Sequence, residues 1–230
     1  MKLEKVTQAS KTAKNRWYDD ACGTAFALEL VGERWSLLIV RELMFGPRRF
    51  GELRASLPGI SANILTQRLE GLVAEGVAAR RKLPSPASVQ VYELTPWGYE
   101  AEEVIKVMGR WATRSPGHDP TLPLSAASLM LSFRTMLSAE RAKGIDAKIG
   151  FRLGAESFVA KLDAESIAIR RGEPDGADVT FDSTPHAMAA VVYGGRPLAD
   201  AQADGSVRIE GDRALAERFV TLFPLPEKIA

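Results

Sequence analysis

Apolar positions in the first third of the chain recur every three to four residues, and each run is cut by glycine or proline. Ala21, Ala25 and Leu28 share one helical face before Gly32. Trp35, Leu38, Ile39, Glu42 and Leu43 mark a second helix that Gly46-Pro47 stops, and Leu53 and Leu57 mark a third between Phe50 and Pro58-Gly59. Ser61 then predicts an N-cap for a longer helix reaching Glu75, because its hydroxyl accepts from an otherwise unpaired first-turn N–H. Past Gly76 the period falls to two, predicting strands at 77–83 and 89–94 around Pro84-Ser85-Pro86-Ala87-Ser88. Thr95-Pro96, a cap followed by proline at the first helical position, predicts a helix to Arg114 with the apolar stripe Val104, Val107, Met108 and Trp111.

Residues 115–123, SPGHDPTLP, have no periodicity and are rich in Pro, Gly and short polar residues, which predicts a domain boundary. Beyond it the pattern predicts helices at 126–137, 185–193 and 212–223, a short amphipathic turn at 198–202, and strands at 147–153, 157–162, 167–171, 178–181 and 207–209. Strands clustered between helices without regular βα alternation mean an α+β domain. The predicted organisation is a basic arm over 1–19, a first domain over 20–115, a linker over 116–123 and a second domain over 124–230.

The 230 residues are 46% hydrophobic and 26% charged, an ordinary globular composition. The net charge of +1 is unevenly spread: residues 1–115 carry 17 basic and 13 acidic side chains (+4), and residues 116–230 carry 13 and 16 (−3). The single cysteine, Cys22, excludes an internal disulfide and suits a reducing compartment. The basic N-terminus lacks the apolar stretch of a secretory signal, and no apolar run approaches the roughly 18 residues of a membrane span. These features predict a cytoplasmic protein with no membrane partner.

On a helical wheel Leu65, Leu69, Leu72 and Val73 share one side, and Asn63, Thr66, Gln67 and Glu70 fall opposite. Asn and Gln can pair bidentately with adenine, and Ser and Thr contact bases or phosphates, so Ser61, Asn63, Thr66 and Gln67 are the candidate base readers. Arg80, Arg81 and Lys82 follow one another on a strand, making at least one face of the hairpin basic, and Arg48 and Arg49 add cations before the third helix. Arg68 flanks the core and is a candidate partner of Glu52 or Glu75. Taken singly, such a polar face is only a solvated face; the order of the elements, helices and then a hairpin, makes the set a candidate DNA interface.

The stretch from Cys22 through ERWSLLIVREL, GPRRFGEL, LPGIS, LTQRL and YELTPWG resembles the HxlR family of bacterial transcriptional regulators, over roughly residues 20–115. The resemblance implies a winged helix-turn-helix, a homodimer and double-stranded operator DNA as partner, with a small effector or redox input. Cys22 follows Asp20, a predicted N-cap, and amid apolar neighbours reads as a buried packing thiol. Sensing through Cys22, as some relatives do, is the rival.

Residues 124–226, with PDGADVTF, a helix ending in YGG, and PLADAQADGSVRIEGD, resemble a sterol-carrier-protein-like domain. That implies a mostly antiparallel five-stranded sheet backed by helices, with an apolar cavity. Phe133, Met136, Phe151, Phe158, Met188, Val192, Phe219 and Phe223 are the candidate lining, for an apolar small-molecule effector or simply as core. A lipid or acyl-thioester carrier is the alternative function. The only histidines, His118 and His186, have no partner at triad or ligand spacing, and no phosphate loop or nucleophile elbow is present, so neither catalysis, cofactor nor metal is expected. The leading expectation is a repressor.

Overall fold

The structure, a computed structural model, describes residues 18–83 and 89–229. The basic arm up to residue 17 and the predicted hairpin tip at 84–88 lie outside the described residues. Helices α1 (Gly23–Val31), α2 (Ser36–Leu43), α3 (Phe50–Ser56) and α4 (Ala62–Ala74) precede strands β1 (Ala78–Lys82) and β2 (Gln90–Leu94), and helix α5 (Pro96–Ala112) follows. Both predicted caps are made: Ser61 Oγ accepts from the Ile64 N–H at 3.2 Å, and Thr95 Oγ1 from the Gly98 N–H at 3.0 Å. A Cβ at position 98 would lie 2.0 Å from the Val77 carbonyl oxygen, so a glycine there lets α5 start against β1. Strands β1 and β2 pair antiparallel, and Arg48 adds a bridge to Tyr92 with N···O distances of 2.9 and 2.8 Å, which stitches the chain before α3 to the hairpin.

The second half runs α6 (Ala126–Met136), α7 (Ala139–Ala142), β3 (Ala147–Leu153), β4 (Glu156–Leu162), β5 (Ile167–Arg171), β6 (Val179–Ser183), α8 (Pro185–Val192), α9 (Leu198–Ala203), β7 (Val207–Gly211) and α10 (Arg213–Phe219). Its sheet has the order β5-β4-β3-β6-β7, and the pairings are antiparallel except for the central parallel pair β3–β6. The chain is therefore α+β, with a winged helix-turn-helix unit followed by the mostly antiparallel five-stranded sheet that the sterol-carrier resemblance implied. Alternate residues of β3 (Ile149, Phe151, Leu153) and β4 (Phe158, Ala160, Leu162) are buried. Helix α6 is apolar over most of its circumference because it meets α2 and α5 of the first half as well as β5.

The halves share one continuous core. Phe45 meets Phe158 edge-to-face at 5.7 Å, Arg134 stacks over Phe45 at 4.7 Å, and Ser125 donates to the buried Glu42 carboxylate at 2.7 Å. Periodicity misjudged several positions. Leu28 and Leu38 are exposed, and Trp35 is not on the α2 face but at its N-cap, with a left-handed φ of 82°. The last helix stops at Phe219, and Phe223 returns to the core from the turn beyond it.

Candidate nucleic-acid interface

Helix α4 presents the two faces that its sequence period demands. Leu65, Leu69 and Leu72 are buried, whereas Ser61, Asn63, Thr66, Gln67 and Glu70 are exposed along one side. Because Ser61 caps the helix, the positive end of the macrodipole lies at the same end as Asn63, which favours a phosphate there. Arg68 points back rather than outward, and it reaches neither Glu52 nor Glu75. Its Nη2 donates to Glu33 at 2.7 Å and its Nε to the Arg34 carbonyl at 3.1 Å, tying α4 to the α1–α2 turn. No pattern in the sequence marks this brace, since 35 residues separate the partners.

The adjacent arginines before α3 have opposite fates. Arg49 is exposed, and its backbone N–H donates to Glu52 at 2.9 Å, closing the first turn of α3. Arg48 corrects the sequence reading: its side chain is only 7% exposed and pairs with Glu156 of β4 at 2.5 Å and with Glu52 at 3.4 Å. It also donates to Ser56 Oγ at 3.2 Å, so this cation is spent inside the protein and does not face DNA. Burial lowers its pKa. Arg171 shares the same Glu156 carboxylate, stacks over Phe158 at 4.8 Å, and is lowered to about 10 by burial and then by the neighbouring Arg48 charge. Sequence reasoning missed Glu156 and Arg171, which lie more than 100 residues from Arg48 in the chain.

On the wing Arg80 and Lys82 are exposed and project to one side, two residues apart, and neither makes an ion pair among the described residues. Arg81 projects to the other side and is paired with Glu93. Of the candidate interface residues, Arg49, those at the front of α4, Arg80 and Lys82 are therefore exposed, and Arg81 is exposed but paired with Glu93.

Cys22 is exposed, not buried. It occupies the N-cap of α1, where the Asp20 carboxylate accepts from its N–H at 2.8 Å. The backbone N–H groups of Thr24 and Ala25, followed by the Thr24 hydroxyl, hold its thiol below the ordinary value. The candidate lining residues of the second domain pack on each other. Phe133 stacks on Phe223 at 4.5 Å and meets Phe219 at 5.5 Å and Phe151 at 5.7 Å, while Phe158 faces Phe45. Met136 and Met188 are buried and Val192 is partly buried in the same core. Three surface clefts of about 790, 670 and 610 Å³ are lined by other residues. Among the described residues no cluster of His, Cys, Asp and Glu is placed to hold a metal ion, and no helix is long and apolar enough to cross a membrane.

A capped helix with a polar front, seated on two shorter helices and followed by a basic hairpin, defines a winged helix-turn-helix regulator. Residues 30–119 match the HxlR-like helix-turn-helix family, and residues 121–228 match the alkyl sulfatase C-terminal family. The transcriptional regulator YvaP of Bacillus subtilis is 36% identical over 38% of this chain and 81% of its own length. Mb3122 of Mycobacterium bovis is 46% identical over 37% of this chain, which spans about half (53%) of that relative. YodB of B. subtilis is 37% identical over 37% of this chain and 77% of its own. Its solved reduced form aligns over 44% of this chain and 100% of that one, at 33% identity and a TM-score of 0.39. The chain belongs to the HxlR-like helix-turn-helix family of transcriptional regulators.

Proposed function

We propose that the protein is a homodimeric repressor that reads a two-fold operator through residues 20–115, and that residues 124–230 carry an effector input. The observation that carries the reading is the exposed set Asn63, Thr66 and Gln67 at the capped front of α4, together with exposed Arg49, Arg80 and Lys82 in the same unit. The winged unit thus exposes both side chains able to read bases and cations suited to phosphates. The dimer is supported by α5, whose Val107 and Trp111 are 67% and 74% exposed beside exposed Val104 and Met108. In that dimer the two copies of α4 read successive major grooves about 34 Å apart, which demands an inverted repeat.

Competition gel shifts on DNA selected from a random pool test the reading. Asn63→Ala and Gln67→Ala each lose about 1–3 kcal/mol of discrimination against scrambled DNA, whereas Arg80→Ala weakens both DNAs alike and lowers the salt slope by about 1. Unchanged discrimination in both helix variants overturns it. The exposure of Cys22 favours a second reading in which the input is oxidation at that thiol. Peroxide-induced release of DNA that Cys22→Ser abolishes is its signature.

A further inference from the structure

We propose that the cleft between α5, the C-terminal end of α6 and the start of β5 binds an organic anion with an aromatic or compact apolar body, and that this ligand is the effector. The inference gives a chemical class and a location to the effector input proposed above, and it rests on that reading for its consequence on DNA. The cleft, open to solvent, has a volume of about 790 Å³, within the usual range of about 300–1,000 Å³ for small-molecule sites, and it lies at the junction of the two halves. Its apolar surfaces are Trp111 and Val107 of α5, facing Leu137 and Ile167.

The charges are unequally matched. Glu102 is taken up by Arg134 at 2.6 Å and Glu103 by Lys106 at 2.8 Å. Arg110 donates to the Thr135 carbonyl and Arg114 to the Glu227 carbonyl at 3.3 Å, and neither makes an ion pair among the described residues. Glu165, on the turn between β4 and β5, leaves the lining at a net charge of +1. Two guanidiniums, Arg110 in the last turn of α5 and Arg114 just past its C-cap, each bonded to a neutral carbonyl, present forks that fit a carboxylate, sulfate or sulfonate head. Trp111 beside them offers an indole face for the body of the same ligand.

The cleft is also placed to be read by the DNA-binding half. At 100° per residue, Lys106 and Arg110 occupy the sector of α5 next to the exposed stripe Val104, Val107, Met108 and Trp111, Arg114 follows just past the helix end, and the cleft shares Val107 and Trp111 with that stripe. Helix α5 starts at the cap that directly follows the wing strand β2. A ligand wedged between α5 and the second domain therefore biases the angle of the helix that joins the wing, the proposed dimer face and the sheet.

Calorimetric titration of the full chain with 2-naphthoate, and with the neutral isostere 2-naphthamide, tests the site. Naphthoate is expected to bind at least about tenfold more tightly than the amide. Arg110→Gln/Arg114→Gln and the milder Arg114→Gln weaken naphthoate and leave the amide unchanged. Lysine at both positions restores part of the affinity, and Arg208→Gln at the far edge of the sheet changes nothing. Equal affinity for acid and amide, full naphthoate binding by the double glutamine variant with native circular dichroism, or no binding at millimolar naphthoate overturns the site. Saturating naphthoate that leaves operator affinity unaltered overturns the effector role. If the unliganded protein fails to discriminate DNA, the regulator reading falls instead, and the calorimetry still decides the site.

Discussion

Replacing Arg48 by Met and, separately, Arg49 by Ala separates two neighbours that have the same side chain and different surroundings. Met keeps most of the apolar stem of Arg48 and removes the charge. Breaking a buried ion pair from one side costs about 3–5 kcal/mol, because the remaining charge is left unmatched. Here Glu156 is 20% exposed and keeps Arg171, and the more exposed Glu52 rehydrates, so about 2–3 kcal/mol is expected. For a chain of this size that lowers Tm by about 4–12 °C. Adding Glu156→Gln to Arg48→Met removes the unmatched carboxylate, and the double variant is expected to lose less than the sum of the singles. Arg49→Ala stays within about 0.5 kcal/mol in stability but lowers the salt slope of DNA binding by about 0.9, one phosphate contact. Thermal scanning and gel shifts over a salt series read both quantities. If Arg48→Met leaves Tm unchanged and flattens the salt dependence instead, Arg48 faces DNA and the burial argument is wrong.

Alkylation of Cys22 by iodoacetamide, followed against pH, is expected to reach half its maximal rate at a lower pH in the folded protein than in the urea-unfolded chain. The lowered pKa means more thiolate at any given pH. A folded-state midpoint at or above that of the unfolded chain refutes that assignment. Phe133→Ala is expected to cost about 3–5 kcal/mol by thermal scanning, because Phe133 is fully buried against four other rings. A loss under about 1 kcal/mol would mean that the rings leave room for a ligand.

The helix-turn-helix and its exposed face were legible in the sequence because local rules determine them. Leucines at 65, 69 and 72 share a side through the 3.6-residue period, Ser61 and Thr95 cap the helices that follow them, and the change to period two marks the wing. None of these inferences needs a partner distant in the chain. What depends on such partners was decided by the tertiary structure alone. The difference between Arg48 and Arg49 comes from Glu156 of the second half, 108 residues further on. Glu42 lies in a helical stripe that periodicity reads as core, and its burial is supported by Ser125, 83 residues away. Cys22 is flanked by apolar residues yet exposed, because α1 buries only Ala25. The phenylalanines of the second domain were recognisable as interior. Composition reports how much apolar volume a chain carries, but only the packing of Phe133 against Phe151, Phe219 and Phe223 decides whether that volume encloses a space or fills one.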